Sequence, residues 1–207
     1  MDSTEGLVAG IIEIEWRMFQ RVPNIGGRAS CQEDFKTFQI MRSSQVASWS
    51  EETLESYFDD LRTAESSGKN LMTKKYARMM ASTSPSEYAR IEHMLTPIDP
   101  ESVELIEQIV IIVLGWEKEL LEKYPSILAK GRPLFSSEDS PVVTSKETYF
   151  KGELSTYSVR TLQLHLAHMR RQQSQNVNGS AITYLDMMKR YGFNSLEEAN
   201  QKLGDSS

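Results

Sequence analysis

Apolar residues recur at intervals of three and four along almost the whole of this chain. That spacing gathers them on one face of an α-helix, whereas a half-buried strand needs alternation. Pro141-Val142-Val143-Thr144 is the one weak strand candidate. The expected fold class is therefore all-α.

Stop and start signals divide the pattern. A first helix is expected from about Thr4 to Gln20, ending before Pro23. Ser30 and Glu33 form a capping box, which predicts a second helix to about Ser48. Ser50 with Glu51 and Glu52 opens a third, whose inward face carries Leu54, Tyr57, Phe58 and Leu61. A fourth starts near Asn70 with Met72, Tyr76, Met79 and Met80 inward. Ser84-Pro85-Ser86-Glu87 opens a fifth. Asp99-Pro100 opens a long one to about Lys123, apolar nearly all round through Val103, Ile106, Ile109, Val110, Val113, Leu114 and Leu120. Later helices cover about 155–173, 180–191 and 195–203, the last two stopped by Gly192 and Gly204. The expectation is one compact all-α domain over 1–207 around the central apolar helix at about 100–123. A long surface loop is expected at about 124–145.

Composition narrows the function classes. The 207 residues hold 23 Lys+Arg against 29 Asp+Glu, a net charge of -6. Such acidity argues against a nucleic-acid partner, which usually needs a basic surface. A single cysteine excludes an internal disulfide and a zinc site of cysteines alone. The most apolar stretch, Ile109 to Trp116, falls far short of the ~20 residues that span a bilayer. The polar start Met1-Asp2-Ser3-Thr4-Glu5 is unlike a secretory signal, so no membrane partner is expected and the cytoplasm is the default location.

Three charges fall on apolar faces. Glu15 lies within the stripe of Leu7, Ile11, Ile12, Met18 and Phe19. Arg42 follows Phe38 by four and precedes Val46 by four, in a stripe that also includes Cys31, Phe35 and Trp49, with Gln45 beside it. Glu117 follows Val113 by four and precedes Leu120 by three. Burying an unpaired carboxylate costs several kcal/mol, so chains avoid it unless the charge is paired or used. The signs suggest one buried cluster, Glu15–Arg42–Glu117. It is either a packing device or the polar wall of a pocket in a helical bundle.

The loop Asn24-Ile25-Gly26-Gly27-Arg28-Ala29 precedes the second helix, where free N–H groups and Arg28 suit an anion. A sharp turn with an exposed arginine is the alternative. Cys31 sits in the first turn of that helix, as a small buried residue or an activated thiol. Lys75 and Arg78 flank the inward face marked by Met72 and Met79. His165 borders the stripe of Leu162, Leu166 and Met169, with His168 three residues on. His165, His168 and Glu153 could hold a divalent metal, although the Glu-x-x-His pairs of di-metal bundles are absent.

The blocks Glu15-Trp16-Arg17-Met18-Phe19, Asn24-Ile25-Gly26-Gly27-Arg28-Ala29-Ser30-Cys31-Gln32 and Phe38 to Gln45 resemble the signature of an uncharacterised domain-of-unknown-function family of bacteria and fungi. Weaker similarity continues through Lys75-Tyr76-Ala77-Arg78-Met79-Met80, Gly115-Trp116-Glu117, Gly131-Arg132 and Gly152-Glu153-Leu154-Ser155-Thr156-Tyr157, over about residues 7–200. The resemblance implies no activity.

The functional expectation is an enzyme of lyase, isomerase or cyclase type acting on a small polar or anionic molecule. Glu15 and Glu117 are candidate acids or bases, with His165 and Tyr157 as further proton donors. Arg28, Arg42, Gln45, Lys75, Arg78 and Arg132 are candidates for binding the substrate. No cofactor is required. The alternatives are a metal-dependent reaction through His165, His168 and Glu153, and a non-catalytic binding or interaction protein. A homo-oligomer is compatible with the sequence.

Overall fold

The computed structural model describes residues 3–23 and 27–205. Among them the chain forms α1 (Thr4–Phe19), α2 (Phe35–Val46), α3 (Glu51–Ser66), α4 (Leu71–Thr83), α5 (Pro85–Ile91), α6 (Pro100–Lys123), α7 (Pro125–Leu128), α8 (Lys146–Leu154), α9 (Val159–Ser174), α10 (Gly179–Arg190) and α11 (Leu196–Asp205). The described residues contain no strand. Residues 141–144 instead follow a tight turn in which Ser140 and Val143 exchange backbone hydrogen bonds at 2.9 and 3.2 Å.

Side-chain caps set most of the helix starts. Ser50, Asn70, Asp99, Ser145, Ser158 and Asn178 each accept a hydrogen bond from a backbone N–H in the following turn. The box expected at Ser30 is displaced. Ser30–Gln32 makes one 3₁₀ turn, and α2 begins only at Phe35. Asp34 is the cap, accepting from the Thr37 N–H at 2.9 Å and from its hydroxyl at 2.6 Å. A carboxylate four residues downstream thus wins over a serine. Ser84 makes no side-chain cap, and α5 starts on Pro85 alone.

α1 packs against α2, α3 and α4, while α6 packs against α7, α8, α9 and α10. Leu7, Ile11, Leu54, Leu61, Ile106, Ile109, Leu162 and Met169 belong to one apolar core. A second, smaller core joins Leu120 to Tyr124, Ile127, Leu128, Met188, Leu196 and Ala199. α6 connects the two, as its central place in the sequence reading implies. It is not buried all round, however: Val103 is 44% exposed and Ile111 69%.

The expected loop at 124–145 is more ordered than its prolines suggest. It contains α7 and a 3₁₀ turn at Ser136–Glu138. Asp139 anchors it to α4 and α8, accepting from the Ser82 hydroxyl, the Thr148 hydroxyl and the Ser145 N–H, each at 2.5 Å.

Candidate functional site

Four charged side chains meet between α1, α2, α4 and α8. Arg42 is the hub. Its Nε donates to Glu15 Oε2 at 2.7 Å, and its Nη2 donates to Glu15 Oε1. Its Nη1 donates to Glu153 Oε1 at 3.0 Å and to the Gln45 side-chain oxygen at 2.5 Å. Lys75 Nζ donates to Glu153 Oε2 at 2.6 Å and lies 3.6 Å from the centre of the Tyr149 ring. Tyr57 donates to Glu15 at 2.6 Å, and Tyr157 and Gln45 donate to Glu153 at 2.9 and 2.7 Å. Glu15, Arg42, Lys75 and Glu153 are all at most 3% exposed. Two carboxylates thus face two cations, and the network is neutral as a whole. That balance is what lets the charges stay ionised out of water.

The protonation states follow from this geometry. Burial pushes the Glu153 carboxyl up, but the Arg42 and Lys75 charges outweigh it and hold the group well below the usual carboxylate range. Burial favours neutral Arg42 and Lys75, yet the carboxylates facing them keep both above their ordinary values. Burial, then the neighbouring carboxylate, pushes Tyr57 and Tyr157 far up, so both keep their protons.

The cluster differs from the expected one in its second carboxylate. Glu117 is buried, as its position on the α6 stripe implies, but it belongs to a separate ion pair. Lys146 donates to Glu117 Oε2, Tyr184 donates to the same oxygen at 3.2 Å, and Lys146 also donates to Tyr184 at 2.5 Å. The place Glu117 was expected to fill is taken by Glu153 of α8. Close helix contact makes this possible: a Cβ on Gly152 would lie 2.6 Å from Met79 Cγ and 3.1 Å from the Lys75 carbonyl oxygen. Glycine lets α8 approach α4 closely enough for Lys75 to meet Glu153.

Between the two ion clusters lies a cleft with a cavity of about 80 Å³. Gln45, Glu153 and Tyr157 face it from the first cluster and Glu117 from the second. Trp49, Trp116, Phe150 and Met169 supply apolar walls. Gly179 and Ser180, the first two residues of α10, complete it with Gln172 and Thr183. One water needs about 10–15 Å³ measured this way, so the cavity admits a molecule of a few heavy atoms.

His165 lines the same cleft at 8% exposure, its ring 4.8 Å from that of Trp49. Its Nδ1 is buried with no hydrogen-bond partner among the described residues. Burial, with a smaller contribution from His168, pushes the imidazole down to about 4, so it is neutral at pH 7. A buried polar atom without a partner costs about 1–3 kcal/mol. Native structures hold few, and each calls for an explanation.

The other candidates lie elsewhere. Arg28 is exposed and bonds Gln20 and the Gln32 carbonyl; Asn24, Ile25 and Gly26 lie outside the described residues. Gln32 gives that turn its structure, donating to the Phe19 and Val22 carbonyls at 2.7 and 3.1 Å. Cys31 and Phe35 are exposed, contrary to their expected place in the α2 stripe: the helix begins after the cysteine, and Phe35 is its first residue, edge-on to the Trp16 ring. Arg78 bonds the Thr96 carbonyl. Arg132 bonds the Thr144 carbonyl at 3.1 Å and stacks over Tyr149. His168 shares a 2.8 Å hydrogen bond with the Ser48 carbonyl. Among the described residues, no three His, Cys, Asp or Glu side chains are gathered as a metal-ligand set. None of the described helices is long and apolar enough to cross a membrane.

The family model described as "Protein of unknown function (DUF4125)" matches residues 5–201, and the chain belongs to that family. No curated protein and no solved structure matches the chain.

Proposed function

We propose that this DUF4125 family member is an enzyme that moves a proton on a small molecule held in the cleft between the two ion clusters. The observation that carries the reading is His165, a neutral imidazole buried without a partner beside a cavity. Such a group has a ring nitrogen free to bond a ligand, and because burial makes it a weaker base than free imidazole, the bound ligand would have to raise its basicity before it takes a proton. Tyr157 on the same wall keeps its proton and donates it in a hydrogen bond to Glu153; as the matching donor it would turn that hydroxyl from Glu153 to the ligand.

In this reading Glu15, Arg42, Lys75 and Glu153 do not react. They bond one another, so their role is to hold Tyr157 and Gln45 in place. Glu117 plays the same part on the opposite wall. A lyase or isomerase reaction suits the site, because proton transfer beside a carbonyl or hydroxyl requires only a base and a donor. Metal-dependent chemistry through His165, His168 and Glu153 has less support: the Ser48 carbonyl holds only the Nε2 of His168 and leaves its Nδ1 for a metal, but the three side chains are not gathered as a ligand set among the described residues.

One specific observation favours the non-catalytic reading of the network itself: Arg42 spends its Nε–H, both Nη1 hydrogens and one Nη2 hydrogen on Glu15, Gln45 and Glu153, and it does not line the cleft. That fits a packing role for Arg42 without accounting for the cleft or for His165. The test is hydrogen exchange. The wild-type protein is incubated in D2O with a library of small oxo and hydroxy compounds, and deuterium uptake is read by mass and proton spectra. Exchange into a carbon position of some member, reduced at least ~100-fold by His165→Gln, is expected. Exchange of the same rate in the variant, or none in the wild type, refutes the proposal.

A further inference from the structure

The cleft has one end that differs electrically from the rest. α10 begins there at Gly179, with Asn178 as its cap. The Asn178 side chain accepts from the Ala181 N–H at 2.9 Å, the third of the helix. The first two N–H groups, of Gly179 and Ser180, belong to residues that line the cavity. Helix-starting N–H groups have no partner within the helix, and the macrodipole puts about half a positive charge at that end. The Ser180 hydroxyl adds a donor beside them. The backbone comes close here because residue 179 is glycine: a Cβ would lie 2.8 Å from the Trp116 ring.

The helix end is not the sole sign of a ligand site. His165 lines the same small cavity, more than nine-tenths buried, with its Nδ1 unpaired. The two carboxylates in the wall do not call for a cation, since each already has one. Glu153 is bonded by Lys75 and Arg42, and Glu117 by Lys146. Glu117 and Glu153 are the charged residues that line the cleft, each neutralised by cations behind the wall, and the donors of the α10 end stand at one side. We infer that the cleft binds a small monocarboxylate, its oxygens on the Gly179 and Ser180 N–H groups and its carbon chain between Trp49 and Trp116 beside His165. The cavity's size limits it to a carboxylate of a few heavy atoms. This rests on the proposed use of the cleft as the substrate site and names the class of substrate.

Propionate tests the inference, with propionamide and propylammonium as neutral and cationic counterparts of similar shape. Two readouts are local to the cleft: the fluorescence of Trp49 and Trp116, assigned with Trp→Phe variants, and the side-chain NMR resonances of His165. Propionate should perturb both in a saturable way, at least tenfold more tightly than propionamide or propylammonium. Ser180→Asp should abolish propionate binding while the protein stays folded, because a carboxylate in the first turn suits the helix and occupies the site itself. Ser180→Asn, of like size but uncharged, should weaken binding much less. Equal or tighter binding of the amide or the ammonium overturns the carboxylate assignment and leaves the cleft a ligand site. Equal loss in the Asp and Asn variants also overturns it, since size rather than charge would then decide. If none of the three compounds perturbs Trp49, Trp116 or His165, both the carboxylate assignment and the proposed use of the cleft fail.

Discussion

Replacing Arg42 with methionine keeps an unbranched stem of similar reach and removes the guanidinium at the centre of the buried network. Glu153 retains Lys75, Gln45 and Tyr157 as donors. Among the described residues, Glu15 keeps Tyr57 as its donor. Removing one partner of a buried ion pair costs about 3–5 kcal/mol, because the other charge stays buried without compensation. Against a typical total of about 5–15 kcal/mol, that is a large share of the stability. For a chain of this length it corresponds to roughly 6–20 °C in midpoint temperature. Urea unfolding followed by helical circular dichroism would measure it, and one cooperative transition is expected if the chain folds as a single domain. The double variant with Glu15→Gln should be more stable than the sum of the two single losses by at least about 1 kcal/mol, since glutamine removes the stranded charge. The double variant with Glu117→Gln should instead be additive to within about 0.5 kcal/mol, because Arg42 and Glu117 share no hydrogen-bond partner. A loss below about 1 kcal/mol for Arg42→Met, or strong coupling between Arg42 and Glu117, would refute this account of two separate clusters.

Three further outcomes follow from the same geometry. Folding lowers the imidazole of His165 from 6.5 to about 4, so the unfolded chain binds the extra proton between those values. The contribution is complete above about pH 6.5 and falls by on the order of 3 kcal/mol as pH drops through 4, and His165→Gln should flatten that part of the urea-midpoint profile. An unchanged profile in the variant would show that His165 is not sealed. Gly152→Ala should destabilise by about 1–3 kcal/mol, because its Cβ meets Met79 and the Lys75 backbone; a neutral result in calorimetry would mean that α4 and α8 are free to separate. Asp139→Ala removes the acceptor shared by Ser82, Ser145 and Thr148. It should speed proteolytic nicking within 129–145 several-fold at little cost to the rest of the chain, and unchanged cleavage would count against Asp139 as the anchor.

The sequence announces the long helices well because their apolar faces are periodic. Glu15, Arg42 and Glu117 are legible as buried for the same reason: each is flanked by apolar neighbours on its helix, Glu15 and Glu117 at three and four residues and Arg42 at four. Their partners are much harder to see. Glu153 and Lys146 lie at the two ends of α8, whose buried residues are Lys146, Thr148, Gly152, Glu153 and Leu154. A helix that buries polar side chains and a glycine has no apolar stripe to mark its inner face. Charge sign alone then suggested that Glu117 faces Arg42, although Lys146 is its partner. The available signal was a count: two buried carboxylates and one arginine left a negative excess that called for another buried cation, which is Lys146 for Glu117, while Lys75 pairs with Glu153. The start of α2 was misplaced for a local reason. Ser30 with Glu33 and Asp34 with Thr37 are both capping patterns, and only the geometry decides between them. The cleft is a product of packing α2, α6, α8, α9 and α10 together, which no local pattern encodes.

The account depends most on His165 being sealed, neutral and unpaired beside the cleft. The most direct measurement is the pH titration of its ring proton resonances by NMR in the ligand-free protein. A midpoint near pH 4 is expected. A midpoint at the ordinary histidine value of about 6.5 would contradict the account, because the ring would then be solvated or already paired.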